Sequence, residues 1–111
     1  MPTAAQLYNE GDKLKETGDL EGAIAKFDEA LAEDPNHALS HLALAVVLGR
    51  VGRHEEAVEH GQKACELEPN EAFNFTAMSV TYQRAFAGTQ NHQYIQLAEE
   101  AMARAHMLQG R

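Results

Sequence analysis

The sequence predicts an all-α chain, a right-handed solenoid of three antiparallel helix pairs. Three observations predict it. The 111-residue chain repeats itself every 34 residues. Its apolar residues recur at helical spacing, and no strand-like alternation occurs anywhere. The repeat is visible in paired segments. Gly18-Asp19 returns as Gly52-Arg53, Ala23-Ile24 as Ala57-Val58, and Ala30-Leu31 as Ala64-Cys65. Asp34-Pro35-Asn36 returns as Glu68-Pro69-Asn70, and Ala38 as Ala72. A fixed period of this size marks an array of small supersecondary units. One unit cannot bury its own apolar face, so units stack and leave an extended concave surface. That architecture predicts a binding scaffold rather than a catalyst.

The elements follow in order. From Ala4 to Thr17 the apolar positions are Leu7, Tyr8 and Leu14. From Leu20 to Glu33 they are Leu20, Ala23, Ile24, Phe27, Ala30 and Leu31, the stripe of an amphipathic helix. Gly18-Asp19 separates the two, with Gly past one end and Asp at the next start. Pro35 closes the unit, because proline cannot continue a helix and disfavours it in the residue before. The second unit repeats the plan, with helices over Ala38–Val51 and His54–Leu67, a break at Gly52 and a stop at Pro69-Asn70. A third unit opens at Ala72.

These residues resemble the tetratricopeptide repeat family, whose pattern is W-x2-L-G-x2-Y, then A-x3-F, A and P. In the first unit Leu7, Glu10, Gly11 and Leu14, then Ala23, Phe27, Ala30 and Pro35, stand at the pattern positions. In the second these are His41, Leu44, Ala45 and Leu48, then Ala57, Gly61, Ala64 and Pro69. The third unit matches at Phe75, Met78, Ser79 and Tyr82 and then departs. Its small Ala should come nine residues after Tyr82, yet Ala98 comes sixteen after, an insertion of seven. Met102 and Ala105 then resume the register. The insertion predicts a last hairpin with each helix about one turn longer. Phe86 is expected near Tyr94, with Gly88 and Thr89 in the turn and Asn91 or Thr89 capping the final helix. The whole chain, 1–111, reads as one domain with repeats at about 4–37, 38–71 and 72–108.

The resemblance implies a concave groove lined by the first helix of each unit. Carried over by position, its residues are Tyr8, Asp12 and Lys15, then Leu39, Leu42, Val46 and Arg50, then Phe73, Thr76, Val80 and Arg84. The first helix of unit two is apolar on this face as well as on its core face of Leu44, Val47, Leu48 and Val51. A helix apolar nearly all round needs cover on both sides. An apolar segment of a partner protein suits such a groove, and Lys15, Arg50 and Arg84 at its rim suit a partner carboxylate. Members of the family that bind chaperone tails clamp terminal carboxylates with Lys, Asn, Asn, Lys and Arg. The matching positions here are Tyr8, Asp12, Ala43, Phe73 and Ala77, so that activity is not expected.

Composition narrows the remaining classes. The net charge is −8, from 17 acidic and 9 basic residues, which argues against nucleic acid as a partner. Ala72 to Ala98 holds no acid at all, a depletion of the kind found at interface centres. No apolar run reaches the length of a membrane span, and Met1-Pro2-Thr3 leads straight into a polar helix, so neither membrane nor signal peptide is expected. The single Cys65 argues for a reducing compartment and, with the rest, for a cytoplasmic protein. It stands where unit one has Leu31, as a small buried residue.

His37 and His41 are four apart, but His37 falls at a helix start and no carboxylate or Cys completes a set. No metal, cofactor or catalytic residue is expected, and enzyme activity is not. His41 stands at an aromatic position as a packed imidazole. Gly61 replaces the ring that Phe27 supplies, which leaves a hole for Phe73 or Phe75 to fill. The last helix ends in Met102, Met107 and Leu108 without a further unit. The reading is a protein-interaction adaptor that binds an apolar peptide or helix. Its alternative is a homo-oligomeric assembly element joined through the groove or the C-terminal helix.

Overall fold

Each helix begins where the sequence supplies a cap or a break. The computed structural model describes residues 1–110, as six helices: α1 (Ala4–Glu16), α2 (Leu20–Glu33), α3 (Ala38–Arg50), α4 (His54–Leu67), α5 (Ala72–Thr89) and α6 (Gln93–Gln109). Thr3 and Gln6 close a capping box over α1. The Gln6 N–H donates to Thr3 Oγ1 at 3.1 Å, and the Thr3 N–H donates to Gln6 Oε1 at 2.8 Å. Gly18 (φ 92°) and Gly52 (φ 85°) take the left-handed turns that only glycine enters cheaply. Asp19 then caps α2 by accepting the Gly22 N–H at 2.9 Å.

The six helices form three antiparallel pairs, α1/α2, α3/α4 and α5/α6, stacked in sequence. No strand occurs among the described residues. The first helices of the pairs lie side by side, with α3 touching both α1 and α5. Two cores hold the stack. Ala23, Ile24 and Phe27 pack on Ala43, Leu44 and Val47 in the first. Val58, Met78, Tyr82, Ala85, Ala98 and Ala101 form the second. The central α3 is enclosed, with Ser40 through Ala45 and Val47 through Gly49 all buried.

The last hairpin is longer, as its insertion predicts. Its α5 has 18 residues against 13 in α1 and α3, and α6 has 17 against 14 in α2 and α4. Three details differ from expectation. Gly88 and Thr89 complete α5 instead of turning, and the turn is made by Gln90, whose φ of 62° is left-handed. Asn91 supports the start of α6, accepting the Gln93 N–H at 3.1 Å. Phe86 meets His92 at 5.4 Å between ring centroids, while Tyr94 stacks on Tyr82 at 6.0 Å. Phe86 thus pairs nearer the tip than expected, and Tyr94 pairs one helical turn farther from it. The hole at Gly61 is filled by neither Phe73 nor Phe75. A Cβ there would lie 2.6 Å from Met78 Sδ and 3.6 Å from Ala45 Cβ, so the flexible thioether occupies the space.

Candidate functional site

Helical spacing puts Leu39, Leu42 and Val46 on one side of α3, and the neighbouring α1 and α5 bring Tyr8 and Phe73 to the same side. Together with Lys15, Ala43 and Ala77 they line a concave depression of about 140 Å³. Six of the eleven residues expected in the groove therefore converge: Tyr8, Lys15, Leu39, Leu42, Val46 and Phe73. Ala43 and Ala77 join them. Both are small residues at central positions, and their size lets α3 approach its neighbours.

The other five line no part of this depression. Asp12 pairs with Lys15 at 3.1 Å on the surface of α1. Thr76 turns its hydroxyl back to the Ala72 carbonyl at 3.3 Å. Val80 is 40% exposed. Arg84 lays its Cδ over Gly49, 3.7 Å from where a Cβ would stand. Arg50 is exposed at the end of α3. Neither arginine has a carboxylate within ion-pair distance among the described residues.

The apolar lining divides by exposure. Leu42 is only 6% exposed, covered by its own neighbours, so α3 needs no partner to bury it. Leu39 at 52% and Phe73 at 62% remain open to solvent. These two form an apolar lip left uncovered among the described residues. Tyr8 sits between them and the core, its ring 5.7 Å from Phe27 and 5.8 Å from His37. Burial, reinforced by the Asp12 charge, raises its hydroxyl above the ordinary value. It therefore stays a neutral donor at physiological pH.

The histidines are engaged in packing. His37 Nδ1 lies 2.7 Å from Ser40 Oγ. His41 is buried, as its position predicts, with Nε2 2.8 Å from the Pro35 carbonyl and Nδ1 3.0 Å from His60 Nδ1. A carbonyl only accepts, so His41 Nε2 carries a proton. In the neutral pair His41 Nδ1 then accepts the N–H of His60. Sequence reasoning missed this pair, because His60 lies nineteen residues from His41.

The two clefts nearest the C-terminal repeat lie outside the groove. One, of about 510 Å³, is lined by Cys65, Phe75, Met78, Tyr82, Leu97 and Arg104 among others. Cys65 is half-buried rather than buried as its position predicts, and burial, with the Glu66 charge, pushes its thiol up to about 11, which favours the protonated form. The second lies between α5 and α6 at the end of the stack. No helix of the described residues is long and apolar enough to cross a membrane.

A family model described as Tetratricopeptide repeat matches residues 8–72. Among solved structures, MamA superposes with a TM-score of 0.82 at 18% identity, covering 97% of this chain and 59% of its own. The second TPR of Spaghetti (RPAP3), solved with the HSP90 peptide SRMEEVD, gives 0.80 at 21% identity and covers 96% and 92%. A thermophilic TPR protein in Thermus thermophilus gives 0.84 at 19% identity and covers 98% and 58%. At these identities the likeness establishes a shared fold. The chain spans about three fifths of the MamA and Thermus chains.

Proposed function

The chain belongs to the tetratricopeptide repeat family, and from that premise we propose that it is a protein-interaction module whose concave lip holds an apolar segment of a partner. The observation that carries this reading is the pair Leu39 and Phe73, two large apolar side chains left more than half exposed beside one depression. Exposed apolar patches rimmed by polar groups mark interaction sites. Tyr8 offers a hydroxyl inside the lip. Arg50 and Arg84, unpaired among the described residues, offer charge to a partner carboxylate. Lys15 is already shared with Asp12, an exposed pair that contributes little.

A solved relative holds an HSP90 peptide, but the groove here favours a different ligand. Tyr8 and Phe73 stand where an acidic tail would need cations, and Asp12 would repel it. The segment this groove suits is apolar, to meet Leu39 and Phe73.

Panning a random-peptide display library tests the reading, with affinities of the enriched peptides measured by fluorescence anisotropy. Phe73→Glu and Leu39→Glu are the informative variants, since both side chains are exposed and the fold does not depend on them. Leu42→Glu would bury a charge and unfold the stack. Losing the burial of one such side chain corresponds to roughly 1.5–3 kcal/mol, so each variant should bind at least tenfold more weakly. Failure to enrich any peptide, or affinities that ignore both variants, would sink the proposal.

A further inference from the structure

The third repeat ends in a face that the first two repeats cover. In repeat one, Ile24 and Phe27 are buried under Ala43, Leu44 and Val47 of α3. In repeat two, Gly61 is covered by Met78 of α5. The equivalent positions on α6, after the insertion, are Glu99 and Met102, with Ile95 one turn before. No helix follows onto them among the described residues. With Phe86 of α5 they line an open cleft of about 370 Å³, and Ile95 is 41% exposed.

We propose that this α5/α6 end face pairs with the same face of a second copy about a two-fold axis. Three observations point to that occupant. The opposite end of the stack cannot supply the cover. Where α3 presents Ser40, Ala43, Leu44 and Val47 to the preceding repeat, α1 presents Gln6, Asn9, Glu10 and Lys13, all exposed. Head-to-tail stacking would bury those polar groups unpaired, so the cover for the α6 face comes from another α6 face rather than from α1.

Charge points the same way. Residues 1–71 hold six Lys and Arg against fifteen Asp and Glu, a net −9, while residues 72–111 hold three against two, a net +1. Two copies repel through their first two repeats and approach without penalty through the third.

The α6 face is also complementary to itself. Ile95, Glu99, Met102 and His106 fall at three- and four-residue steps along one side. An antiparallel copy centred on Met102 sets Met102 against its own equivalent and brings Glu99 within one residue of the level of His106 of the second copy. The covering helices α3 and α5 run antiparallel to α2 and α4 in the same way. An interface in which the same patch meets itself closes at a dimer.

Sedimentation velocity across a concentration series is the test. Wild type should pass from monomer to twice the monomer mass. Met102→Glu and Ile95→Glu should dimerise at least tenfold more weakly, with thermal melts that match wild type at concentrations where both are monomeric. On oxidation, Met102→Cys should cross-link to a dimer while Asn9→Cys at the polar end does not, each in a Cys65→Ala background because Cys65 is only half-buried. A monomer at every concentration, or a dimer that survives both end-face variants, overturns the proposal. A dimer lost instead in Phe73→Glu would place the interface in the concave groove and overturn it as well. Peptide binding through the lip is read separately, so failure of one reading leaves the other standing.

Discussion

Asn74 holds the second and third repeats together at a single residue. It is buried, and its amide reaches the Ala64 and Glu68 carbonyls at the end of α4, each at 3.4 Å. Carbonyls in the last turn of a helix lack helical partners of their own. Asn74→Ala should cost about 1–2 kcal/mol in chemical denaturation, more than a surface substitution. The His41–His60 pair makes a different prediction. Burial and the nearby His41 hold His60 below its ordinary 6.5, against the opposing pull of Asp28, Glu59 and Glu56. The unfolded chain therefore takes up a proton first. Stability from this group is complete above about pH 6.5 and is lost as the pH falls through the lower folded value. Thermal melts should drop between pH 7 and pH 5, with a slope below the ~1.4 kcal/mol per pH unit of one full proton, because His60 is partly solvated. His60→Gln should flatten that slope. An unchanged slope would remove the pair from the account.

At the scale of the element, one glycine reverses the usual helix rule. Gly11 lies inside α1, where alanine should gain roughly 1 kcal/mol by propensity. A Cβ there would stand 2.6 Å from Phe27 Cε1, and Phe27 is wholly buried with no room to yield. Overpacking of this kind costs about 1–3 kcal/mol. Gly11→Ala should therefore lower the denaturation midpoint; a higher one would show that the ring moves. Gly88 plays a similar part in the lengthened hairpin, where a Cβ would run into the His54 ring. Helix positions were legible because Gly18, Gly52, Pro35 and Pro69 act locally. The insertion length was legible from the interrupted period. The turn within it was not, because Gly88 and Thr89 look like turn residues until packing against His54 keeps α5 helical through them.

Across the whole molecule, the stack predicts graded protection. Solenoid stability is a sum over neighbouring units, and α3 is the helix enclosed by α1, α2, α4 and α5. Native-state hydrogen exchange should find its slowest amides in α3 and faster ones in α1 and α6. Protection highest in an end helix would contradict the packing. The sequence alone determined the fold class, the helix ends of the first two units and six of the eleven residues expected in the groove, because each rests on periodicity or on local backbone chemistry. The tertiary structure decided which of those residues need a partner. Leu42 and Phe73 are equally apolar letters on the same expected face, yet one is covered by its neighbours and the other stands in solvent. It also brought His60 to His41 and Met78 to Gly61. Burial is a property of what surrounds a side chain, and those surroundings come from residues one repeat away, which no local pattern names.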